Sequence, residues 1–147
     1  MLGIYSCWTL YPYGKTIGYY IGIKKGYTRN IIFFSGWKFY VPEFLFEELY
    51  KYKEIIIHKG SIEAENFDAY INGFFIRANI IIIPFNEFKH AIKPAENILI
   101  DKKDAHYVAL VLTLECPIWS NDKDLKKQNK VKIFTTEELT QIIFNRN

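Results

Sequence analysis

The sequence predicts one α/β domain: a three-layer α/β/α sandwich around a mostly parallel sheet of four or five strands. Three observations carry that expectation. Short apolar or β-branched runs alternate with helix-patterned segments, as parallel strands joined by crossover helices do. The run Ile80-Ile-Ile-Ile is closed by Pro84 and apolar on both faces, which fits a strand covered on both sides. The chain has 147 residues, 50% of them hydrophobic, enough for one sizeable core. Residues 1–147 therefore read as a single domain, with an atypical segment at 1–26.

That first segment holds Tyr, Gly, Trp and Pro at irregular spacing and no acid; the first carboxylate is Glu43. Ile17 to Ile23 is the candidate first strand, weakened by Gly18 and Gly22. Thr28 to Phe34 reads as a helix stopped by Ser35-Gly36, and Lys38 to Val41 as a strand. Pro42 suits the first turn of the next helix, where a missing N–H costs nothing, and Glu43, Glu47 and Glu48 favour that end of its dipole. Phe44, Leu45, Leu49 and Tyr52 share one face of that helix, which runs to about Lys59-Gly60. A second helix spans Ile62 to about Ala78, and Ile80 to Pro84 is the buried strand. A short helix fills part of 86–97, interrupted near Pro94. Asp101 caps a helix over Lys102–Leu114. Ile118 to Ser120 is a strand, Asp124 to Gln128 a helical turn, and Val131 to Phe134 a strand. Thr135 or Thr136 caps a closing helix to about Phe144.

Composition bounds the function classes. The net charge of +3 permits a nucleic-acid partner without demanding one. No apolar run is long enough to cross a bilayer, and no basic leader with an apolar core opens the chain. Cys7 and Cys116 lie far apart, and Cys116 reads as an inert core thiol, so a reduced, cytoplasmic setting is the expectation. His58, His90 and His106 have no partner at metal-ligand spacing and read as surface or packing residues. Gly14-Lys15-Thr16 resembles the end of a phosphate loop, but that loop needs a glycine where Thr9 stands.

The chemistry lies in the acids. Asp104 sits at the start of an apolar helix, and Asp122 and Asp124 follow a short buried strand. Glu48 lies on the helix after the Lys38–Val41 strand and can face the same cleft. Carboxylates gathered at the C-terminal mouth of a parallel sheet repel one another unless a cation neutralises them, and Mg²⁺ or Mn²⁺ suits such ligands. A metal there polarises a phosphodiester and activates water, with Ser120 and Asn121 placed to orient it. The bland reading stands beside this one: Asp101, Asp104, Asp122 and Asp124 could all serve as helix or turn caps.

Four segments together carry a family resemblance over about two-thirds of the chain. They are Phe39-Tyr-Val-Pro-Glu-Phe-Leu-Phe-Glu-Glu-Leu, Asp101-Lys-Lys-Asp-Ala-His-Tyr-Val-Ala-Leu, Pro117-Ile-Trp-Ser-Asn-Asp-Lys-Asp-Leu and Val131-Lys-Ile-Phe-Thr-Thr-Glu-Glu-Leu. From about Lys38 to Leu139 the chain resembles a PIN domain, the fold of many metal-dependent ribonucleases. The resemblance implies that Glu48, Asp104 and Asp122 hold the metal. Asp124 is then an auxiliary acid and Ser120 a small positioning hydroxyl. It further implies RNA as substrate, a homodimer, and a toxin role with a protein antitoxin. The helical hairpin Glu48–Ala78 is the candidate interface.

The family's first strand ends in Asp-Thr-Asn or a close variant, and that aspartate is a principal ligand. Here Gly14-Lys15-Thr16 falls near that place and supplies no carboxylate. Trp8-Thr9 is encoded TGG-ACN, and another frame through those codons reads Leu-Asp; residues 1–20 are then a frame-altered start. The missing ligand leaves a second reading: a non-catalytic RNA-binding or scaffold protein of the same fold. Lys123, Lys126, Lys127 and Lys130, with Lys132, form a basic stretch beside the acids that suits backbone phosphates, with Lys24, Lys25 and Arg29 extending it.

Overall fold

The computed structural model describes residues 7–11 and 26–145. Five strands form one sheet in the order β3-β2-β1-β4-β5, and every pairing is parallel. The strands are β1 (Cys7–Leu10), β2 (Lys38–Pro42), β3 (Ile80–Ile83), β4 (Ile118–Trp119) and β5 (Ile133–Phe134). The helices, in chain order, are α1 (Tyr27–Phe34), α2 (Leu45–Lys51), α3 (Lys53–Gly60), α4 (Phe67–Arg77), α5 (Phe85–Phe88), α6 (Ile92–Ile98), α7 (Ala105–Leu114) and α8 (Thr136–Phe144). The predicted α/β/α sandwich on a parallel sheet is therefore what the chain forms.

Two cores sit on the two faces of that sheet. Alternation along each strand sorts the side chains between them. Trp8, Leu10, Phe39, Val41, Trp119 and Phe134 face the layer built by α1, α2, α3, α4 and α8. Tyr11, Tyr40, Ile118 and Ile133 face α5, α6 and α7. Helix α7 is apolar nearly all round, and its residues from Tyr107 to Leu110 are fully buried. A helix of that kind packs against the sheet centre.

The first strand is the main correction. It is Cys7–Leu10, at the middle of the sheet, and the predicted Ile17–Ile23 strand lies outside the described residues, as does Gly14-Lys15-Thr16. The cysteines are a second correction. Cys7 and Cys116 are joined by a disulfide with a Cα–Cα distance of 5.4 Å. The parallel register that sets Thr9 beside Ile118 also brings Cys7 against the approach to β4, and the buried Thr9 hydroxyl donates to the Cys116 carbonyl at 2.9 Å. Two thiols read as separate are thus neighbours.

Smaller differences have local causes. Pro42 closes β2 rather than opening the helix, since its missing N–H is tolerated at a strand end. The single helix expected to Gly60 is split at Tyr52, whose φ of −104° and ψ of 16° break the run. Ile62 stands outside the next helix, which is preceded by a 3₁₀ turn at Ala64–Asn66. Pro94 sits within the first turn of α6 and interrupts nothing. Ser35-Gly36 does end α1, with Gly36 at a φ of 77° that other residues rarely adopt. Thr135 caps α8 in a full capping box with Glu138.

Candidate functional site

Strand order reverses at β1, whose neighbours β2 and β4 belong to opposite halves of the chain. Ligands of open parallel sheets bind in the crevice beyond the strand ends at such a point. Tyr11 lies just past β1, Ser120 and Asp122 lie past β4, and Asp104 stands immediately before α7.

Asp104 is the centre of this crevice. It is only 4% exposed, and its Oδ1 accepts a hydrogen bond from the Tyr11 hydroxyl. Burial lifts its carboxyl to about 6; the Tyr11 hydrogen bond opposes that rise, and the negative charges of Asp122 and Asp101 add to it. Tyr11 is raised in turn, first by burial and then by Asp104, with Asp122 contributing. The Tyr11 ring stacks on Tyr107, centroid to centroid 4.0 Å apart. Tyr107 is buried, and among the described residues its hydroxyl has no hydrogen-bond partner. Burial raises the Tyr107 phenol well above its ordinary value, and the charges of Glu48 and Asp104 raise it further.

Asp104 meets the stacked tyrosines directly through Tyr11, and the charges of Asp122 and Glu48 act on Tyr11 and Tyr107 respectively. These acids are not gathered into a cage: among the described residues no three His, Cys, Asp or Glu side chains converge to hold an ion. Residues 1–6, 12–25 and 146–147 contain none of those four types.

The other predicted residues divide by use. Asp122 caps the 3₁₀ turn Lys123–Lys127, accepting the Asp124 N–H at 3.0 Å. Asp101 does the same for Lys103 at 3.1 Å. Ser120 is fully buried, and its Oγ accepts the Asp122 N–H at 3.1 Å, so it fixes the loop that carries Asp122. Asn121 reaches α8: its Oδ1 accepts the Thr136 N–H at 2.8 Å, tying this loop to that helix. Asp124 is exposed and pairs with Lys127 at 3.0 Å, while lining a cleft of about 110 Å³ with Asp101 and Asp104.

The basic stretch is partly self-neutralised. Lys126 is paired with Glu138 and Lys127 with Asp124, whereas Lys123 and Lys130 are exposed and have no carboxylate at ion-pair distance among the described residues. His106 packs against Phe44, Phe85 and Phe88, and burial pushes its pKa down; His58 and His90 are exposed. The packing and surface roles expected for the histidines hold.

Sequence reasoning missed Tyr11 and Tyr107. Neither is an ordinary metal ligand, so a search for carboxylates passes over both. The available signal was positional: had Cys7–Leu10 been read as the first strand, Tyr11 would have fallen at the mouth of the sheet.

An all-parallel sheet between two helical layers, with a crevice where its strand order reverses, defines an open α/β fold. More narrowly, the chain matches the PIN domain family over residues 15–143 and belongs to it. That match begins at residue 15, after β1. No curated protein and no solved structure matches the chain significantly. Among the described residues no helix is long and apolar enough to cross a membrane.

Proposed function

We propose that this PIN domain is a Mg²⁺- or Mn²⁺-dependent endoribonuclease built on a reduced acid set. Asp104 and Asp122 are its main metal-facing carboxylates, with Glu48 and Asp124 assisting. The observation that carries this reading is geometric: a buried Asp104 stands before α7 at the switch point of a parallel sheet, with Asp122 past the neighbouring β4. A buried carboxyl held at about 6 beside a second acid is a group that a cation would settle.

The donor set suits a hard ion. Magnesium needs only one or two carboxylates when waters and a substrate phosphate complete its shell. The buried Tyr107 hydroxyl, without a hydrogen-bond partner among the described residues, adds a polar atom. When bound, such a metal lowers the pKa of a water and stabilises charge on the phosphodiester. Ser120 holds the Asp122 loop in place, and Lys123 and Lys130 offer unpaired cations to the RNA backbone.

Cleavage of an end-labelled single-stranded RNA with Mn²⁺ tests the reading. Loss of cleavage in Asp104→Asn supports it, and equal cleavage by that variant removes it. A homodimer and a protein antitoxin belong to the same proposal. The exposed Tyr50 and Ile76, on α2 and α4, are the surface to probe by light scattering and by substitution. The proposal also places the protein in the cytoplasm, where Cys7 and Cys116 would stand as adjacent thiols.

One observation favours a second reading. Tyr11, not a carboxylate, stands at the end of β1 and already occupies Asp104. A non-catalytic RNA-binding PIN domain would bind RNA with or without metal and leave it intact.

A further inference from the structure

Resting on RNA as the ligand of this domain, we propose that the outer face of α1 and α4 is a second binding surface for single-stranded RNA, apart from the crevice. Arg29, Asn30 and Phe34 on α1 and Arg77 at the end of α4 line one cleft of about 850 Å³. None of the described residues lining it is an acid. Neither arginine has a carboxylate at ion-pair distance among the described residues, and the remaining positions hold no Asp or Glu. Both helices belong to the layer opposite α7, the helix that Asp104 precedes, so this cleft and the one at Asp104 share no residue.

The side chains are those a nucleotide chain needs. Phe34 is 80% exposed, and Tyr27, two turns earlier on the same helix, is 65% exposed. Rings left this open expose apolar surface that a stacked base would cover. Arg29 lies over the Phe33 ring, 5.9 Å from its centre, which holds a planar cation on the surface of α1. Burial raises the Tyr70 phenol, and the charges of Arg77 and Arg29 both oppose that rise, so the two guanidiniums gather at one place. Acids nearby are engaged or absent: α1 carries none, and Asp68 of α4 accepts the Tyr50 hydroxyl. A nucleotide presents an anion and a flat ring side by side, and an arginine beside an open aromatic matches both. An acidic peptide would use the arginines and leave Phe34 and Tyr27 in water. Recognition here is blind to sequence, because every base has a face to stack and every phosphate the same charge.

Fluorescence anisotropy of a labelled oligouridylate in EDTA tests this, since the RNA is then bound without being cut. Joint Arg29→Gln and Arg77→Gln should weaken binding about tenfold and lower the slope of log affinity against log salt by about 1.4, the value for two single-strand phosphates. Phe34→Ala should weaken it about fivefold or more, the loss of one stacked base. An unchanged thermal melt shows that each variant is folded, and Arg77→Gln alone, at an exposed position, replaces the double variant if that one melts early. If wild type binds and either the arginine or the Phe34 variant binds equally well, the second surface is overturned and the RNA reading stands. If wild type binds no oligouridylate, both fall. If oligoglutamate displaces the RNA from wild type at equal concentration, an acidic protein is the occupant and the RNA assignment of this face is overturned.

Discussion

Asp104 and Asp122 stand at equivalent places, each immediately before a helical segment, yet they do different work. Asp122 is half-exposed and turns one carboxylate oxygen back onto the Asp124 N–H, as a cap does. Asp104 makes no such bond, is buried, and spends its oxygen on a tyrosine from another strand. Local sequence gave both the same prospects. Tertiary placement against β1 separates them, because only Asp104 lies under Tyr11 on the α7 side of the sheet.

The contrast can be broken most sharply through catalysis. Asp104→Asn should lower Mn²⁺-dependent RNA cleavage by about a hundredfold or more, the scale expected when charge stabilisation at a reacting phosphate is lost. Asp122→Asn keeps the capping oxygen and should cost less. Initial rates on one labelled RNA compare the two, and a larger loss from Asp122→Asn would reverse their ranking.

Next in size is the disulfide, which ties the start of β1 to the approach to β4, at the end of the sheet opposite the crevice. It closes a loop of 109 residues in sequence separation. Reduction should lower unfolding free energy by about 3–4 kcal/mol, allowing for less than the ideal chain-entropy value. Urea midpoints with and without reductant measure it, and identical midpoints would show that the two thiols are not bonded in solution.

The pH dependence of stability follows in magnitude. The folded carboxyl of Asp104 is raised to about 6, above its unfolded value. The folded state therefore holds this proton more tightly than the unfolded chain. Its contribution is fully present below about pH 4 and is lost as pH rises through about 6. In EDTA, wild type should lose about 1–3 kcal/mol of this component between those limits. Asp104→Asn should lack that loss and melt higher than wild type at pH 7.5. Parallel urea curves at pH 4.5 and 7.5 are the check. A wild-type stability that rises over this interval while the Asn variant stays flat would give Asp104 the opposite sign.

The smallest effect lies away from the acids. Thr135→Ala removes one half of the α8 capping box and should cost about 1 kcal/mol with cleavage unchanged. A thermal melt reads the first, and the RNA assay the second. A large activity loss would mean that the Asn121–Thr136 tie transmits to the Asp122 loop.

Much of the fold was legible because its signals are local. Ile80–Ile83 announces a strand buried on both faces, Gly36 stops α1, and Thr135 with Glu138 spells a helix start. The acids were legible as residues, since each follows or precedes a readable element. What they would do was not. Whether an aspartate caps or waits depends on a neighbour far along the chain, and Tyr11 is separated from Asp104 by 93 positions. β1 was missed for a related reason. Only Trp8 and Leu10 face one core, with Thr9 between them, and four residues are too few for alternation to stand out among prolines and glycines. The disulfide was hidden by the same distance, because pairing of Cys7 with Cys116 requires knowing that β1 lies beside β4.

The strand order also shapes how the chain acquires its form. β1 is made first of the five and ends in the centre, between a partner that arrives at Lys38 and another that arrives at Ile118. One flank can zip early, while the other waits for most of the polypeptide. Pairing across such separations is slow, and an apolar edge left open meanwhile invites association with other chains. Nascent copies should therefore depend on holdase protection until β4 and β5 have emerged.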